Sequence, residues 1–138
     1  MILRGVEISG GPVGRQRRRE FAALLGEFRR AAVLVPETEG GWWTAEWGGI
    51  RWICAFSDEA ALARFAIARG EGAEEWAYQR VLGARLLDVA VPALGVPAGV
   101  ALDAGSADGV VFPPVAGIVP EAVAVDAGAY AIEGTGGA

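Results

Sequence analysis

A chain of 138 residues matches one average domain, and charges break its 53% hydrophobic content before any run reaches the roughly eighteen apolar residues of a membrane span. All twelve basic residues are arginine. With no histidine and a single cysteine, Cys54, the composition excludes imidazole metal ligands, Ser-His-Asp and Cys-His catalysis and an internal disulfide. The net charge of −5 is unevenly spread: residues 1–30 hold seven arginines against three glutamates, residues 31–138 five arginines against fourteen acids, and this acidic balance argues against nucleic-acid binding.

Residues 1–14 lack the basic start, apolar middle and small-residue cleavage site of a secretory signal, so a cytoplasmic protein held together by packing alone is expected. Met1 to Ser9 offers an initial strand, and Gly10, Gly11, Pro12 and Gly14 then predict a flexible break. From Arg15 to Arg30, Phe21, Leu24, Leu25 and Phe28 recur at i, i+3, i+4 and i+7, the spacing of one helix face. Arg15, Arg17, Arg18 and Arg19 then fall in the helix's first turn, where the dipole favours acids. They form either a solvated basic face or an anion site completed by free backbone N–H groups.

Ala31 to Val35 reads as a buried strand stopped by Pro36, with a turn to Gly41. Gly48-Gly49 then lies between two β-rich runs and permits the positive φ angles of a two-residue hairpin turn. That turn sets a register pairing Trp47 with Ile50, Glu46 with Arg51, Ala45 with Trp52, Thr44 with Ile53 and Trp43 with Cys54. Alternation places Trp43, Ala45, Trp47, Ile50, Trp52, Cys54 and Phe56 on one face, expected to be core. Trp42, Thr44, Glu46, Arg51, Ile53 and Ala55 share the other, expected to be partly wet because Glu46 and Arg51 pair across it. Trp42 is either covered by another part of the chain or an exposed anchor, and with Glu46 and Arg51 it marks a candidate partner surface.

Ser57 is the expected N-cap of a helix with Asp58 and Glu59 in its first turn, Leu62, Phe65 and Ala66 on one side and Gly70 at its end. Residues 76–81 alternate like a strand, with helix as a competitor. Ala84 to Ala90 predicts a helix burying Leu86, Leu87 and Val89, ended by Pro92, Gly95 and Pro97. Two strands follow, Gly99 to Asp103 and Gly109 to Phe112, joined by turn residues and closed by Pro113-Pro114. The organisation expected is an N-terminal segment 1–14, one domain 15–120, and a tail 121–138 that is at least partly disordered, notably over Gly134 to Ala138.

Three blocks in this order carry a resemblance: VLVP at 33–36, AFSDEAALARF at 55–65 and GVALDAGSADGVVFPP at 99–114. With Phe56, Ser57, Glu59, Leu62 and Phe65 at a strand-to-helix junction, Gly83, Arg85, Leu86 and Leu87 at a helix start, and Gly105, Ser106, Gly109 and Pro113 in a hairpin, the chain resembles the N-terminal domain of the bacterial SseB family. Asp103-Ala104 stands where that family usually has Asn-Pro, and the hairpin is unusually rich in tryptophan. The resemblance implies an α/β fold of the α+β type, a mixed, largely antiparallel sheet of about five strands with two to three helices packed on it. It also implies a link to secretion or protein partners, and no catalytic residues to carry over.

Residue chemistry points the same way. Cys54 is expected to be a buried structural thiol, with no base to activate it. Asp103 and Asp108 flank a turn without the further ligands of a calcium loop, and neither glycine cluster fits a phosphate loop. The expectation is therefore a non-enzymatic interaction or scaffolding domain without cofactor or metal, bound to a protein partner or to itself, with no nucleic acid and no membrane insertion. The alternative is a small-ligand or anion receptor built on Arg15, Arg17, Arg18 and Arg19.

Overall fold

The computed structural model describes residues 12–125, and the expected strand at Met1 to Ser9 and most of the expected tail lie outside them. Helix α1 spans Pro12–Arg30, three residues earlier than the apolar spacing indicates. Pro12 starts the helix instead of breaking the chain, because a first-turn residue needs no N–H partner and proline's fixed φ suits that position. Residues 12–14 therefore belong to α1. Phe28 is buried and Phe21 and Leu25 pack beside it, whereas Leu24 sits on the flank of this stripe and stays exposed.

Strand β1 (Ala32–Thr38) runs through Pro36 rather than stopping there. Proline lacks only the donor, and its carbonyl still accepts the Trp43 N–H at 2.9 Å. Strands β2 (Gly41–Trp42), β3 (Thr44–Trp47) and β4 (Ile50–Ala55) follow, and the β3–β4 register is the one the Gly48-Gly49 turn implies, from Trp47 opposite Ile50 to Thr44 opposite Ile53. Both turn glycines have positive φ, +64° and +79°.

Helix α2 (Glu59–Ala68) is capped by Asp58, whose side chain accepts the Ala61 N–H at 2.8 Å, one residue beyond the expected cap. Ser57 turns instead to Asp103, donating its N–H and its hydroxyl to the carboxylate at 2.8 and 2.7 Å. Strand β5 (Tyr78–Leu82) settles 76–81 as a strand entry. A helical stretch then passes from α3 (Gly83–Arg85) through a π-helical turn (Leu86–Ala90) into α4 (Val91–Ala93).

Pro92 does not end this stretch, because the turn before it widens: proline has no N–H for the Asp88 carbonyl, and the Val91 N–H reaches back to Leu86. Leu86, Leu87, Ala90 and Val91 form its buried stripe. Val89 lies off that stripe and is exposed, contrary to the expectation. Strands β6 (Ala98–Leu102) and β7 (Val110–Phe112) and a 3₁₀ turn at Glu121–Val123 complete the described chain. The start of the tail is held down, with Val125 donating its N–H to the Pro114 carbonyl at 2.8 Å.

Among the described residues the fold is mixed α+β and largely antiparallel, with seven strands in two sheets ordered β2-β1-β5 and β3-β4-β6-β7. Of these seven strands, β4 and β6 form the one parallel pair. Leu34 and Phe56 exchange two 2.8 Å backbone hydrogen bonds that stitch the two sheets together. Among the described residues no helix is long and apolar enough to cross a membrane.

Helices cover both sides of this joined sheet. Val33, Val35, Ile53, Ala55 and Phe112 face α1 and the 83–93 stretch in the larger core. Leu34, Cys54 and Phe56 face α2 in a smaller one. The hairpin face expected to be partly wet thus feeds the main core through Ile53 and Ala55, and is wet only near the tip, where Glu46 and Arg51 lie.

Candidate functional site

The hairpin face expected to be core is buried at one end and open at the other. Phe56 and Cys54 lie beneath α2, and Trp52 is 5% exposed, but Trp47 is 47% exposed. The register is right and the burial of Trp47 is not. An α-helix rises 1.5 Å per residue, so the ten residues of α2 extend about 15 Å. That length covers Leu34, Cys54 and Phe56 and leaves the hairpin tip bare.

Trp52 covers the sheet at that end itself. Its ring lies against Gly99, where an added Cβ would come within 2.9 Å of the ring and 2.4 Å of the Phe112 carbonyl oxygen. Its indole N–H donates to the Trp47 carbonyl at 3.1 Å, and the Trp47 ring sits 5.7 Å away, tilted. Across from this pair, Trp43 packs edge-on against Phe65 at 5.3 Å and Trp76 at 5.5 Å. The Arg69 guanidinium lies 4.9 Å over the Trp43 ring, an arrangement that favours a cation on the aromatic face.

Between the two aromatic groups runs an apolar groove of about 310 Å³ with Cys54, Ala101 and Val111 in its floor. Among the described residues Arg69 is its only charged lining residue, with Nε held by Glu71 at 3.1 Å. Burial pushes the Cys54 thiol up to about 11, with Arg69 opposing the shift, so the thiol stays protonated at neutral pH and presents a small apolar surface.

The residues singled out from the sequence lie elsewhere. Glu46 and Arg51 do meet, at 3.6 Å, with Arg51 also donating to Thr44, but on the hairpin face opposite the groove. Trp42 is half-buried and packs on the main core, so it is not a freely exposed anchor.

Arg15, Arg17, Arg18 and Arg19 are exposed along α1. Because the helix begins at Pro12, Arg17, Arg18 and Arg19 lie beyond its first turn, away from the free N–H groups an anion site needs. Helical spacing puts Arg15, Arg18 and Arg19 on one flank and Arg17 on another. Among the described residues, Arg17, Arg18 and Arg19 thus stand apart from the backbone donors of the first turn.

Other shifted groups belong to surface pairs. Hydrogen bonding from Arg29 at 2.7 Å holds the Asp88 carboxyl below its ordinary range, and the hydrogen bond to Glu59 raises Tyr78. Among the described residues, no three histidine, cysteine, aspartate or glutamate side chains are grouped to hold a metal ion. The chain matches no protein-family model, no curated protein and no solved structure.

The groove itself went unseen in the sequence. Alternation puts Trp43, Ala45, Trp47, Trp52 and Cys54 on one hairpin face, but it neither brings Phe65, Arg69, Ala101, Ala104 and Val111 to them nor says what covers the face. The usable signals were the shortness of the helix after Ser57 and the small residues, Ala45, Ala101 and Ala104, set among large aromatics.

Proposed function

We propose that this protein is a non-enzymatic protein-interaction domain that receives an apolar side chain of its partner in the groove between Trp43 and Trp47. The observation that carries this reading is Trp47, a large aromatic left about half exposed at the mouth of an apolar groove. Tryptophan in such a position is enriched among residues that dominate binding energy, and a concave apolar surface with one polar group at its edge suits side-chain capture. The protonated, buried thiol and the absence of histidine support a binding role over a catalytic one. The resemblance to the SseB family supports the same class of function and extends the proposal to a bacterial, secretion-associated setting. A receptor for anions on the α1 arginines has less support, since Arg17, Arg18 and Arg19 lie beyond the first turn of the helix.

A captured aromatic side chain would bury ~150–250 Å², and association costs would leave a short peptide with a Kd on the order of 0.1–1 mM. The test is a panel of neutral peptides differing at one position, Leu, Phe, Trp or Ala, titrated while amide chemical shifts are followed. Saturable shifts around the groove with the three large residues, absent with Ala and lost in Trp47→Ala, are expected. If none of the peptides perturbs the groove, the proposal is wrong.

A further inference from the structure

The groove is not isolated. On the far side of Trp43 and Arg69 lies a recess of about 200 Å³ that shares those two residues and is bordered by Glu37, Glu71, Glu74 and Glu75, with Trp76 beside them. Four carboxylates thus meet one guanidinium. Arg69 is already engaged, bound by Glu71 through Nε and stacked over Trp43 and, at 5.8 Å, Phe65. Glu37 accepts from the Gln79 amide, while Glu74 and Glu75 are exposed.

The recess therefore carries net negative charge directly against the apolar groove, within the part of the chain where acids outnumber arginines fourteen to five. A carboxylate-bearing ligand would meet one neutralised cation and several repelling acids. A cationic one would meet unneutralised acids, with the half-buried Trp76 ring beside them.

We infer that the groove takes a protein segment in which an apolar side chain is followed closely by arginine or lysine. The apolar group lies between Trp43 and Trp47 and the cation in the acidic recess. This rests on the groove being a side-chain docking site, and adds to it the charge of the partner.

The experiment uses the full chain and four synthetic peptides: one leucine flanked by two arginines, by two glutamines or by two glutamates, and an arginine-flanked peptide with alanine for the leucine. Binding is followed by tryptophan emission and amide shifts at low and at about 0.5 M salt, where surface attraction is largely screened. The arginine-flanked leucine peptide should bind at least about fivefold tighter than the glutamine one at low salt, and the glutamate one weakest. That advantage should shrink in high salt and in Glu74→Gln/Glu75→Gln, whose exposed positions leave folding intact.

Equal binding of the arginine and glutamine peptides, or tighter binding of the glutamate one, overturns the charge inference while leaving groove docking standing. Binding of the alanine peptide as tight as that of its leucine counterpart shows charge adsorption without the groove and overturns both. So does binding by none of the four.

Discussion

The two faces of the joined sheet are built from the same few strands and differ in what closes them. On one, α1 and the 83–93 stretch bring Phe28, Leu86, Leu87 and Val91 onto Val33, Val35, Ile53 and Ala55, and all of these are nearly or fully buried. On the other, a ten-residue α2 covers Leu34, Cys54 and Phe56, and the remaining surface is left to aromatic side chains lying on the sheet. The first face stores stability. The second holds a surface that the fold does not need to close, and this is where we propose that a partner docks.

If that division is real, truncation on the closed face should be severe. Phe112 stacks on Phe28 at 4.5 Å and lies 5.7 Å from Phe21, joining α1 to β7. Phe112→Ala should cost about 3–5 kcal/mol in chemical denaturation, from lost burial and the cavity left behind. A loss under about 1 kcal/mol would mean that α1 does not seal this side.

Gly99 probes the boundary between the faces. A methyl there meets the Phe112 carbonyl and the Trp52 ring at once, at 2.4 and 2.9 Å. Gly99→Ala should cost about 1–3 kcal/mol by overpacking and should shift the Trp52 indole resonance as the ring is lifted from β6. An unchanged indole environment would break the claim that Trp52 lies against the sheet.

Cys54 reports how well α2 shields the open face. A thiol whose folded pKa is raised to about 11 from an ordinary 9.0 binds its proton more tightly in the folded state. Its contribution is therefore complete below pH 9 and lost as pH rises through 11, on the order of 2 kcal/mol by that point. The difference between the parent and Cys54→Ala should narrow over this window, and thiol labelling at pH 8 should be slow. Fast labelling would mean that the groove floor is open to solvent.

These contrasts explain how much of the molecule was legible in its sequence. The hairpin register, α2 and the β6–β7 pair follow from short-range chemistry: Gly48-Gly49 fixes a turn, Ser57-Asp58 marks a helix start whose cap falls on Asp58 rather than Ser57, and Gly105 makes a loop with φ of +87°. Pro12, Pro36 and Pro92 misled, because each sits where its missing N–H is harmless or is absorbed by a widened turn. The exposure of Trp47 was illegible for a different reason. It depends on the reach of a helix separated from it in sequence, and local periodicity carries no such information.

The smallest expected effect on stability is the most informative about function. Trp47→Ala removes a ring that is half in water, while the hydrogen bond from Trp52 goes to the backbone carbonyl and survives the substitution. The change should therefore cost no more than about 0.5–1 kcal/mol by thermal or chemical unfolding. A ring this large whose removal costs the fold this little fits the partner contact proposed for it. A cost of 3 kcal/mol or more would place Trp47 in the core after all, erase the distinction between the two faces, and remove the basis for docking at the groove.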